Sequence, residues 1–234
     1  MAPITLMNEE LRQIPQRIFK LAIASLTQAN THAVYVDPRN DHWDVLSILN
    51  AAHTGELFLK TIIALEHPLL IFREIFSIDD GSSSDIDLSS LLQKGKTHDF
   101  ERLPQVLWVS TGIRLPSPSC YERLRRARNA IQHFCAPKDV ELGRLSLEFI
   151  YTIIDPLIYQ QLGICAINFH EDPSVGYDYI VQRLIRESFK FSMPDDFGIT
   201  EFDLADELES VGQAYRCWFA GELERIGKTN LLKF

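Results

Sequence analysis

Most of the signatures that would assign this chain at a glance are missing from it. Its 234 residues hold no run approaching roughly 18 uncharged apolar residues, so no membrane-spanning helix and no membrane partner is expected. The opening residues, MAPITLMNEELRQ, have no basic segment followed by an apolar run; no secretory signal is expected there, and a cytoplasmic location is. Cysteine is sparse. Cys120, Cys135, Cys165 and Cys217 form no C-x-x-C pair, and no histidine stands at finger spacing from them, which argues against a zinc site or a disulfide framework and for reduced thiols. Gly-x-x-x-x-Gly-Lys, G-x-G-x-x-G and G-x-S-x-G are all absent, so neither a phosphate loop nor a nucleophile elbow is indicated. No segment alternates convincingly enough to read as a strand, and no internal repeat is visible. His170-Glu171-Asp172 has the residue types of a metal site, but adjacent residues rarely converge on one ion, and the triplet reads as loop; no metal and no other cofactor is expected.

What is present is an ordinary globular balance, 46% hydrophobic and 24% charged, which excludes a disordered chain. The charge sum of −9 argues against blanket nucleic-acid binding. It is unevenly spread. Residues 121–135 set Arg123, Arg125, Arg126 and Arg128 against Glu122 alone, a local +3 in a chain whose remainder is −12. At the other extreme, Asp195, Asp196, Glu201, Asp203, Asp206, Glu207 and Glu209 fill 195–209 without a Lys or Arg. That pattern usually means a solvated face, and here it suggests a shield for the arginine strip.

Apolar spacing predicts an all-α chain: an antiparallel, up-down bundle over 1–163 with an acidic helical extension over 164–234. The first helix is expected from Pro15, taken as a first-turn proline, to Asn30, and the second from Asp41 to a limit at Pro68. Residues 77–98 are rich in Ser, Gly and Asp and read as a surface loop. A short helix over 99–111 is closed by Gly112. The next helix has Ser117 as N-cap and Pro118 in its first turn, and it cannot pass Pro137. Helices over 139–162, kinked at Pro156 and ended by Gly163, then over 176–191 and 202–227, complete the reading.

The helix Ser117–Phe134 carries the chemistry. On a wheel, Cys120, Leu124, Ala127, Ile131, Phe134 and Cys135 fall within an arc of about 100°, the side to be buried. Opposite lie Glu122, Arg125, Arg126, Asn129, Gln132 and His133, a face suited to an anionic ligand. Arg128 and His133 are about 140° apart on that wheel, whereas Arg126, seven residues before His133, is nearly aligned with it. Spacing alone therefore leaves Arg126 and Arg128 as alternatives.

The run Arg128-Asn129-Ala130-Ile131-Gln132-His133, within Leu124-Arg-Arg-Ala-Arg128 and Phe134, resembles the Arg-polar-x-x-x-His mark of the HEPN superfamily of small helical domains. His67-Pro-Leu-Leu-Ile-Phe72 and Gly112-Ile-Arg-Leu-Pro116 fit the same likeness, which covers roughly residues 15–163. The resemblance implies a metal-independent endoribonuclease of the toxin or defence type. It would act as a homodimer in which two motif helices face each other across one cleft. His133 would move the proton in attack of a ribose 2′-OH on the adjacent phosphate, which leaves a 2′,3′-cyclic phosphate. Arg128 would brace the phosphoryl oxygens, and Asn129 would orient the scissile group or His133. Arg123, Arg125, Arg126 and Gln132 would hold RNA. His53, Glu56 and Lys60, one polar line on the second helix, would border the cleft, or else Glu56 and Lys60 form a surface pair. One departure stands out. Where a toxin branch of the family carries a modifiable tyrosine two residues after the histidine, this chain has Cys135, so any antitoxin or defence-system partner would act by another route. Two readings stand beside the nuclease: a non-catalytic HEPN-like module binding RNA, nucleotide or a protein through the same face, and an interaction scaffold whose acidic extension docks a basic partner.

Overall fold

The computed structural model describes residues 8–35, 37–40, 42–75, 88–133, 140–170 and 176–232. Among them the chain is all-α, and its one β contact is an isolated antiparallel bridge between Phe72 and Thr97. The helices are α1 (Glu9–Val34), α2 (Trp43–Glu66), α3 (Leu88–Lys94), α4 (Leu103–Thr111), α5 (Pro118–Gln132), α6 (Leu142–Phe149), α7 (Asp155–Leu162), α8 (Asp178–Arg186), α9 (Leu204–Glu209) and α10 (Gln213–Arg225). No helix among the described residues is long and apolar enough to cross a membrane.

Several boundaries differ from expectation for identifiable reasons. α1 starts six residues before Pro15 because Asn8 caps it, its Oδ1 accepting the Glu10 N–H at 2.9 Å, with Glu9 and Glu10 suiting the positive end of the helix. Pro15 is thus inside the helix. The expected start of α2 at Asp41 lies outside the described residues; its first turn is led in by Asn40, whose Oδ1 takes the His42 N–H at 3.0 Å. Of the expected loop at 77–98, residues 77–87 lie outside the description, but 88–94 form α3, seated by Leu91 at 1% exposure. Pro104 falls in the first turn of α4, where its missing N–H costs nothing, and Gly112 ends that helix.

The helix expected over 139–162 is two helices joined by a π turn at Ile150–Ile154, where the Asp155 N–H reaches Ile150 O. Pro156 is the cause we assign: it leaves Thr152 O without its α-helical donor, and the wider turn absorbs the mismatch. The segment read as one helix over 202–227 is broken at Ser210–Gly212, with Asp203 capping the first half through the Ala205 and Asp206 N–H groups.

The chain clusters into two compact units, and α1 and α2 each contribute to both. One comprises 1–22 and 56–115, the other 23–55 and 116–234. In the first, Phe58, Leu59, Ile63, Leu103 and Leu107 are buried and Phe19 meets Phe58 edge-on at 6.3 Å. In the second, α5 is set by Leu124 and Cys120, both fully buried, and by Tyr121 against Phe149 at 5.9 Å. Ser47 and Ser146 share a buried hydrogen bond at 2.8 Å, and Gly143 lets α6 approach α1 closely, since a Cβ there would sit 3.3 Å from Ala33 O. Buried Asn30 donates to Ala166 O and Phe169 O and accepts from Tyr151. Asp155 accepts the N–H groups of Ala166 and Ser192, which pins the two segments that follow α7 and α8.

Candidate functional site: the arginine face of α5 and its groove

The α5 helix is positioned by its apolar side. Cys120, Leu124 and Ala127 are buried, as the wheel requires, and Tyr121, which the wheel did not include, is buried too; Ile131 is only half-buried, and Phe134 and Cys135 lie outside the described residues. Pro118 opens the helix, but Ser117 makes no side-chain cap bond. His133 is the C-cap, exposed, with its backbone N–H directed to Asn129 O and Ala130 O. Gln132, the last helical residue, is also exposed.

The arginines divide into two kinds. Glu122 accepts Arg125 in a two-pronged pair, both bonds at 2.8 Å, and accepts Arg126 Nε at 2.8 Å as well. These guanidinium donors hold the Glu122 carboxyl down at about 2. Arg123 donates to Glu148 of α6, which raises the arginine's own pKa. Arg128 differs: among the described residues it has no carboxylate partner, and its Nη1 donates to Asn129 Oδ1 at 3.2 Å. The structure therefore brings Arg128 and Asn129 together, and puts His133 at the open end of the same helix, about 140° around from Arg128. Cys120, beneath Arg123, has its thiol pushed up to about 11, chiefly by burial, and is no nucleophile.

Between α5 and α6 runs an open groove of about 560 Å³. Its apolar lining is Ala127, Ala130, Val140 and Leu145, and Arg123, Arg126 and Arg144 border it together with Glu141 and Glu148. Arg144 and Glu148 were not singled out from sequence. Their i, i+4 spacing on α6 is visible there, but nothing local connects position 148 with position 123. A wider ionic chain continues from Arg144 to Glu187 at 2.8 Å and from Glu187 to Arg183 at 2.9 Å.

The other expected residues are not among those that line this groove. His53 is exposed on α2. Lys60 is buried at 7% exposure, paired with Glu56 at 2.5 Å and donating to Thr97 Oγ1 at 2.9 Å, so the expected surface pair is instead an internal tie. His170 is described and Glu171 and Asp172 are not; among the described residues no group of three His, Cys, Asp or Glu gathers as a metal site would. In the acidic run, Glu207 holds Arg186 and Gln182, Asp196 takes the Tyr177 hydroxyl and Asp203 caps α9. The carboxylates seen on the α5 arginines are Glu122 and Glu148, not members of that run.

Comparison with known proteins finds no matching family model, no matching curated protein and no matching solved structure.

Proposed function

We propose that this chain is a HEPN-like, metal-independent endoribonuclease that acts as a homodimer, with His133, Arg128 and Asn129 at the reacting phosphodiester. The observation that carries the reading is the selective treatment of α5: Arg123, Arg125 and Arg126 are tied to carboxylates, while among the described residues Arg128 is held by Asn129 and by no carboxylate, and His133 stands exposed beyond it. A guanidinium spared local neutralisation keeps its charge for an incoming phosphate. In the reaction, the 2′-oxygen bonds to phosphorus, the bond to the 5′-oxygen breaks, imidazole takes the 2′ proton, and the departing oxygen takes a proton from water. Because Arg128 and His133 diverge around one helix, the pair converges only if a second copy supplies one of them.

A non-catalytic RNA-binding module is the second reading. The ion pairs on Arg123, Arg125 and Arg126 favour it, since a helix so neutralised holds a ligand more readily than it stabilises developing charge.

The test is incubation of labelled RNA with the protein in EDTA. The nuclease reading expects cleavage, lost by about 100-fold or more in His133→Ala with RNA still bound. RNA bound but uncut by wild type would move the assignment to the binder.

A further inference from the structure

The groove between α5 and α6 is built in an unusual way. Among the described residues that line it, the cations are all arginine: Arg123, Arg126 and Arg144. Arginine presents a planar fork that matches phosphate or carboxylate, where lysine presents only a point charge. Each guanidinium that borders the groove already bonds a carboxylate through one nitrogen: Glu148 on Arg123, Glu122 on Arg126, Glu187 on Arg144. Yet these pairs are not sealed. Arg126 is 76% exposed and Glu122 38% exposed, so their bond is easily exchanged for a better acceptor. The apolar lining is methyl and aliphatic surface from Ala127, Ala130, Val140 and Leu145, which suits the apolar faces of ribose and base between successive phosphates.

We propose that this groove is the track for a single-stranded RNA backbone, and that Glu122 occupies a phosphate position on Arg126 until the RNA displaces it. The inference rests on the RNA reading above and extends it to a surface distinct from Arg128 and His133. Glu122 is then a gate on affinity, not a catalytic residue: it bonds Arg126, which lines the groove, as well as Arg125, which does not, and its departure frees the Arg126 guanidinium at the groove edge. An acidic polypeptide is the other polyanion to consider. The apolar lining favours a ribose-phosphate chain over it.

The experiment measures binding of a fluorescein-labelled oligouridylate by full-length protein carrying His133→Ala, at about 50 and 200 mM salt. Glu122→Gln is expected to raise affinity at least about threefold at the lower salt and to steepen the log–log salt slope by about 0.7 for each additional phosphate neutralised. Ala130→Glu, which puts an anion in the groove lining, is expected to weaken binding at least about tenfold without changing the circular dichroism spectrum. Unchanged affinity in Glu122→Gln, unchanged affinity in Ala130→Glu, or no RNA binding by any variant overturns the proposal. So does displacement of the RNA by polyglutamate at equal charge concentration. Because the measurement is made without the histidine, intact binding with no cleavage by the wild-type protein would remove the nuclease reading and leave the track standing.

Discussion

At the scale of single residues, the polar groups that matter most for stability are buried ones with specific duties. Asp155 sits at 1% exposure at the start of α7, and burial, partly offset by the N–H groups of Ala166 and Ser192, raises its carboxyl to about 6. A carboxyl raised above its unfolded value near 3.9 binds a proton in the native state where the unfolded state has lost it. Its contribution therefore favours the fold below about pH 4 and is lost as pH rises to about 6. Asp155→Asn lacks that titration. Relative to wild type, the variant is expected to gain about 2 kcal/mol between pH 4 and pH 7, as measured by urea unfolding at each pH. A flat difference across that range would show that Asp155 does not titrate there. None of this was legible in the sequence, because Asp155 looks like any acid before a proline; its burial comes from segments 11 and 37 residues away.

At the scale of the elements, punctuation was legible wherever a local rule decides it. Gly112 and Gly163 end α4 and α7 in the left-handed conformation, with φ of 76° and 67°. Pro118 opens α5 as expected. Elsewhere the sequence was misleading. Asn8 extended α1 past Pro15, a leucine-bearing stretch inside a Ser- and Asp-rich region folded into α3, and a proline turned one expected helix into two with a π turn between. The glycines give a paired prediction. Gly163→Ala, at positive φ, is expected to cost about 1 kcal/mol. Gly221→Ala, inside α10 with open space at its Cβ, is expected to gain about 0.5–1 kcal/mol by removing unfolded-state freedom. Thermal melting of the two variants should move in opposite directions; a shared direction would contradict the backbone reasoning.

At the scale of the whole molecule, the ion pairs described on α5 are local ones. The net −9 and the acidic run at 195–209 suggested one part of the chain neutralising another, but Glu207 is spent on Arg186, and α5 is neutralised by Glu122 beside it and Glu148 on α6. The arginine-rich helix, its buried stripe and its exposed histidine were legible because helical periodicity places them without reference to anything else. The groove was not, because it needs α6 alongside, and position 148 meets position 123 only in the folded chain. What α5 cannot do by itself is bring Arg128 to His133, and under the proposed function that falls to a second copy. The most direct test mixes two inactive full-length proteins, Arg128→Gln and His133→Ala, after unfolding and refolding together, and follows RNA cleavage in EDTA. A composite cleft predicts that activity absent from each protein alone returns in the mixture, because the hybrid pairs the arginine of one chain with the histidine of the other. Two active parents, or a mixture as inert as its parts beside a cleaving wild type, would contradict the shared site.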